Sequence, residues 1–141
     1  MSDQTRGLHI LRKLKAMGIA VSMDDFGTGH SSLATLHAFP FDKIKLDQSF
    51  VKRLPNDAAA VAIVRTVLAL GVSLGIPVLA EGIETEAQWQ FLADEGCAKG
   101  QGYLFAKPVA LAQLPAAMAA AAQFVREDAT EPTDAPAVAA A

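Results

Sequence analysis

Asp24 and Asp25 are adjacent carboxylates in the stretch Met23-Asp24-Asp25-Phe26-Gly27-Thr28-Gly29-His30-Ser31-Ser32-Leu33, which follows the apolar run Ile19-Ala20-Val21. Carboxylates are rarely buried without a partner, and a pair at a strand end calls for cations, most economically a divalent metal. Successive side chains of a regular strand point to opposite faces. Just before Gly27 and Gly29 the chain can curl, and the two carboxylates can then diverge toward two neighbouring ions. Paired metals roughly 3.5–4 Å apart clamp the attacking and leaving oxygens of phosphoryl transfer. Hard oxygen donors favour magnesium or manganese over zinc. The plainer alternative is an exposed Asp-Asp turn that caps a helix at Ser31-Ser32.

Other reactive groups recur downstream. Lys45 and Asp47 share a strand face by period-two spacing. Lys45 there can position a water or neutralise phosphate, or can form a structural pair with Asp47. Glu81 stands at the end of the run Ile76-Pro77-Val78-Leu79-Ala80, suited to a metal ligand or base, and Glu84 lies in the following turn, suited to accept loop amides. Gln101, between Gly100 and Gly102, has flexible backbone around it and can bond substrate or water, or simply pack a loop. His9, His30 and His37 lack ligand spacing and read as surface or loop residues. Trp89 and the phenylalanines read as core. No P-loop, dinucleotide-binding glycine motif or paired CxxC occurs.

The elements that must carry these groups alternate. A helix with Leu8, Leu11 and Leu14 on one stripe and Lys13 and Lys15 facing water stops at Gly18. Strand Ile19–Met23 follows, then the acidic loop and a short helix from Leu33 to Leu36. Phe41–Asp47 reads as a second strand, with Ile44 and Leu46 on one face. Asn56 or Asp57 opens a long helix through Val61, Val64, Val67 and Leu68, closed by Gly75. Ile76–Ala80 is a third strand, and Thr85 with Gln88 forms a capping box for a helix holding Trp89 and Leu92, closed by Gly96. Cys97–Phe105 is a fourth strand, and Leu111–Ala122 a last helix. Residues 123–141 are expected to form a disordered Ala/Pro/acidic tail.

Such alternation predicts parallel βα units, and the polar residues gather at the C-terminal strand ends, where a parallel α/β barrel keeps its active site. Four units are half of a (β/α)8 barrel, which takes about 250 residues. At 141 residues, 52% hydrophobic, with part of that figure alanine crowded near the C-terminus, the chain has room for one domain core. A formal charge of −3 argues against a nucleic-acid polymer as partner. The lone Cys97 excludes an internal disulfide framework, no apolar run reaches the roughly 20 residues of a membrane span, and no signal peptide is evident. These features predict a soluble, cytoplasmic chain.

Four motifs then become specific in combination. Asp24-Asp25-Phe26-Gly27-Thr28-Gly29-x-Ser31-Ser32-Leu33 resembles the hallmark loop of EAL-domain cyclic di-GMP phosphodiesterases. Ile44-Lys45-Leu46-Asp47, Ala80-Glu81-Gly82-Ile83-Glu84-Thr85 and Gln101-Gly102-Tyr103-Leu104-Phe105-Ala106-Lys107-Pro108 resemble that family's later motifs in the same order. The resemblance covers roughly Leu8 to Leu114. It implies a modified (β/α)8 barrel that hydrolyses cyclic di-GMP to pGpG with two magnesium or manganese ions. It further implies that Asp24 binds both metals, Asp25 the second, and that Lys45 orients the attacking water. Glu81 becomes a metal-linked acid or general base, and Gln101 supports water and substrate. Phe26, Gly27, Thr28, Gly29, Ser31 and Ser32 become a loop coupling metal binding to dimerisation, anchored by Glu84. His30 replaces the family's usual tyrosine.

The same resemblance places the namesake Glu-Ala-Leu motif, an asparagine and a glutamate ahead of residue 1, and no Glu-Ala-Leu occurs in the sequence. Residues 1–122 therefore read as the C-terminal half of an EAL domain, weak or inactive as an isolated chain. A non-catalytic assembly module is the alternative. A half barrel exposes a sheet edge and an apolar interior, which a homodimer or a partner completing the barrel would cover.

Overall fold

Ile44 and Leu46 are fully buried while Lys43 and Lys45, which alternate with them, are not, and this alternation defines a sheet with one covered face. The structure, a computed structural model, describes residues 3–26, 36, 38, 39 and 41–124. The expectations for Gly27, Thr28, Gly29, His30, Ser31, Ser32 and His37, for the helix from Leu33, and for residues 125–141 lie outside that set.

Four strands, β1 (Ser22–Phe26), β2 (Lys43–Leu46), β3 (Val78–Glu81) and β4 (Lys99–Gln101), pair in parallel in the order β1-β2-β3-β4. Helix α1 (Asp3–Ala16) precedes β1, α2 (Gln48–Val51) and α3 (Ala58–Leu74) join β2 to β3, α4 (Glu86–Asp94) joins β3 to β4, and α5 (Leu114–Ala121) follows. The core joins Ile44, Leu46, Val78 and Ala80 of the sheet to Val64, Val67 and Leu68 of α3, Leu92 of α4, and Phe50, Val51 and Leu54 around α2. Burying side chains such as Ile44 and Leu46 contributes about 2 kcal/mol each.

Helix α3 starts where expected, because the Asp57 carboxylate accepts the Ala60 amide, and it ends on Gly75 at φ 65°. The Thr85–Gln88 capping box opens α4. Strand β1 begins three residues later than expected. The Ile19 amide still bonds the Leu14 carbonyl at 3.1 Å, so Ile19 belongs to the turn that ends α1, and it is 44% exposed. Lys15, expected to face water, reaches the Asp42 carboxylate at 2.6 Å. The other Asp42 oxygen accepts the Val21 amide at 2.8 Å. The Lys15 ammonium and the Val21 amide hold Asp42 below the usual carboxylate range. Strand β4 is shorter than Cys97–Phe105, because the chain folds over Ile83 after Gly102 and the Leu104 amide bonds the Ile83 carbonyl. The last helix is flanked by 3-10 turns at Leu111–Gln113 and Ala122–Phe124, and Phe124 packs edge-on against Phe105.

Among the described residues, the sheet face turned away from the helices is not the apolar interior expected. Register and alternation place Asp24, Lys43, Lys45, Leu79, Glu81, Lys99 and Gln101 there. The apolar positions of these short strands are spent on the helix layer, which leaves charge on the open side.

Candidate active site

A cleft of about 520 Å³ opens at the C-terminal end of the sheet, and Asp24, Asp25, Lys45, Asp47, Glu81 and Gln101 all line it. Parallel strands deliver residues from β1, β2, β3 and β4 to one rim, which is why side chains up to 77 positions apart meet.

Asp24 and Asp25 reach the cleft together through a bulge. Met23 opposes Ile44 and Phe26 opposes Leu46, so two residues of β1 stand against Lys45 alone. Met23 and Phe26 are both buried, which regular alternation over three positions forbids. Asp25 absorbs the extra residue at φ 52°, a left-handed conformation that aspartate tolerates better than most residues. Its amide bonds the Asp24 carboxylate at 3.0 Å. The curl expected at the strand's end, before Gly27, falls at Asp25, inside the strand.

Lys45 stands between two carboxylates. Its Nζ lies 2.8 Å from Glu81 Oε1 and 3.2 Å from Asp24 Oδ1. Glu81, and then Asp24, hold the ammonium above the ordinary lysine range, so it stays charged at neutral pH. The alternative of a structural pair between Lys45 and Asp47 does not form. Asp47 has left the strand to cap α2, where its carboxylate accepts the Ser49 amide at 2.8 Å. Ser49, by side chain and by amide, keeps Asp47 below the usual carboxylate range. The signal for this cap was present as Asp47-x-Ser49, an aspartate two residues ahead of the amide it accepts.

Glu84 is half exposed and lies 3.8 Å from Lys52, and the loop it was expected to anchor falls outside the described residues. The Glu81–Thr85 turn is fixed instead by Gln88. That side chain is 6% exposed, and its Oε1 accepts the amides of Glu84 at 2.8 Å and Thr85 at 3.1 Å. Gln101 lies on the rim opposite Glu81 in register. The glycines around it serve close approach rather than flexibility. A Cβ on Gly102 would overlap the Ile83 backbone, and one on Gly100 would lie 2.6 Å from Ile83 Cδ1. His9 is exposed on α1, as expected.

The donors suit a hard divalent ion in kind, being all oxygens, but not in number. Among the described residues no three His, Cys, Asp or Glu side chains converge as a metal site, and magnesium wants near-octahedral coordination. A larger recess of about 770 Å³ lies beside β4, lined by Trp89, Cys97, Phe105 and Phe124. Burial there pushes the Cys97 thiol up, away from the thiolate a nucleophile requires.

The EAL domain model matches residues 1–108, three quarters of the sequence. The chain belongs to the EAL domain family. This EAL chain is 44% identical over 119 residues to MucR of Pseudomonas aeruginosa, a bifunctional diguanylate cyclase/cyclic di-GMP phosphodiesterase, covering 84% of the chain and 17% of MucR. Among solved structures it superposes on the PaMucR phosphodiesterase in complex with cyclic di-GMP with a TM-score of 0.74 and 45% identity, covering 81% of this chain and 46% of that one. It also matches Klebsiella pneumoniae BlrP1 in a manganese/cyclic di-GMP complex, at TM-score 0.68 and 40% identity, covering 75% and 26%. The chain thus spans about half of the PaMucR structure and a smaller share of the full-length relatives. Its four parallel strands are the C-terminal half of an EAL TIM-type barrel. Among the described residues no helix is long and apolar enough to cross a membrane.

Proposed function

We propose that residues 1–122 are the C-terminal half of a cyclic di-GMP phosphodiesterase domain, contributing one side of its active site. The observation that supports this most is the convergence of Asp24, Asp25, Lys45, Glu81 and Gln101 on one cleft at the C-terminal strand ends. On this reading Asp24, Asp25 and Glu81 supply part of a magnesium or manganese centre, and the remaining ligands come from outside the described residues. Such ions supply charge stabilisation and an activated water in phosphodiester hydrolysis. Lys45 contributes positive charge for the phosphate or the attacking water, Glu81 accepts a proton, and Gln101 hydrogen-bonds substrate. Phe26, the first residue of the hallmark loop, is buried, and on this reading Glu84 has the anchoring role. On this reading the chain works in the cytoplasm.

With too few ligands for either metal, the isolated chain is expected to make little or no pGpG from cyclic di-GMP in the presence of manganese. Chromatographic analysis of the nucleotide products checks this, and robust turnover by the monomer contradicts it.

A second reading, an assembly module, is favoured by one observation. The outer strands β1 and β4 have no further strand beside them among the described residues, and the recess at β4 is bordered by Trp89, Phe105 and Phe124. Exposed edges beside apolar surface invite pairing with another chain. Light scattering on the eluting peak of a sizing column should then report a dimer, and a stable monomer would count against it.

A further inference from the structure

Tyr103 is out of keeping with the rest of the cleft. Every other described residue that lines it is charged, a glutamine or a glycine. The backbone beneath the ring is fixed, because the Leu104 amide bonds the Ile83 carbonyl at 3.0 Å and the Phe105 amide returns to the Gly102 carbonyl at 3.2 Å. Leu104 and Phe105 turn inward and pack against the core, whereas Tyr103 is 61% exposed. A large ring held in water at the tip of a clamped turn keeps apolar surface that a stacking partner would cover. Lys107 sets the ring's attitude without covering it, with its Nζ 5.6 Å from the ring centroid.

The charges of the cleft narrow the choice of partner. Asp24, Asp25, Asp47, Glu81 and Glu84 outnumber Lys45 and Lys52, so a bare phosphate is repelled while a flat, uncharged ring is not. We propose that Tyr103 is the base-stacking residue of this half site, and that it takes one purine ring of a nucleotide in the cleft. This rests on the phosphodiesterase reading only for naming that base as a guanine of cyclic di-GMP. The chain then holds the base by itself, and the phosphate depends on groups from outside the described residues.

The chain has a single tyrosine, so the proton resonances of a ring-labelled tyrosine report on Tyr103 alone. Titration of the full chain with inosine, a soluble and uncharged purine nucleoside, should move those signals upfield, and ribose at the same concentration should not. Saturation transfer from the protein to the inosine ring protons should survive in Tyr103→Phe and fall about fivefold or more in Tyr103→Leu. If Tyr103→Leu does not fold, Tyr103→Gln is held to the same criterion. Still tyrosine signals, an equal response to ribose, or undiminished transfer in the variant without a ring overturns the proposal. The readout needs no metal, phosphate or turnover, so it stands or falls separately from cyclic di-GMP hydrolysis.

Discussion

Glu81→Gln, made in a barrel completed with the other half of an EAL domain, is expected to lower cyclic di-GMP hydrolysis by about 100-fold or more. Glu81 ends β3 at the rim, 21% exposed and 2.8 Å from Lys45. The amide keeps the shape and loses the charge, the proton acceptor and a good oxygen ligand. Its position is secured from behind by Gln88 and by the Ile83 amide, which bonds the Gln101 carbonyl at 3.1 Å, so the exchange should leave the fold in place. If Glu81 were only the structural partner of Lys45, the variant would lose stability with its rate intact. Initial rates of pGpG formation, beside a thermal melt, separate the two outcomes.

Gly102→Ala is expected to be among the most destabilising single substitutions in the chain, by about 3 kcal/mol. Gly102 does not need a positive φ. It needs space, because an added Cβ would overlap the backbone of Ile83, a residue with no exposed surface. Relieving that overlap forces apart the crossing where the Ile83 amide bonds Gln101 and the Ile83 carbonyl accepts Leu104. Gly96 is the control. It holds φ 85° with nothing within 4 Å of a built Cβ, so Gly96→Ala carries only the left-handed strain, about 1 kcal/mol. Chemical denaturation of both variants checks the difference, and equal losses would contradict the packing account.

Much of the fold was legible because local signals and burial agreed. Asp57, Gly75, Thr85 and Gln88 each cap a helix where their chemistry places them. Ile44 and Leu46 fill the core face that their spacing assigns. Strand limits were less legible, because they depend on partners. Ile19 looked like a strand residue by type, yet its amide is taken by Leu14. The site was legible as a set of residues and not as a set of contacts. Strand ends place Asp24, Lys45, Glu81 and Gln101 around one cleft, as their positions along the chain lead one to expect. Lys45 pairing with the strands on either side rather than with Asp47 depends on lateral register, and so does the bulge that turns Asp25 outward. Neither is encoded in spacing along one strand. The role of Gln88 was half visible. Its capping box was evident, but its hold on the Glu84 amide becomes plain only once the turn is folded.

The direct measurement of the central claim is pGpG production from cyclic di-GMP in manganese by two proteins. One is the isolated chain, and the other is a chimera joining the N-terminal half of the MucR phosphodiesterase domain to this chain. Half a site predicts negligible product from the first and clear turnover from the second, lost again on Glu81→Gln. Vigorous hydrolysis by the isolated monomer, or a folded chimera that binds manganese yet makes no pGpG, would contradict it.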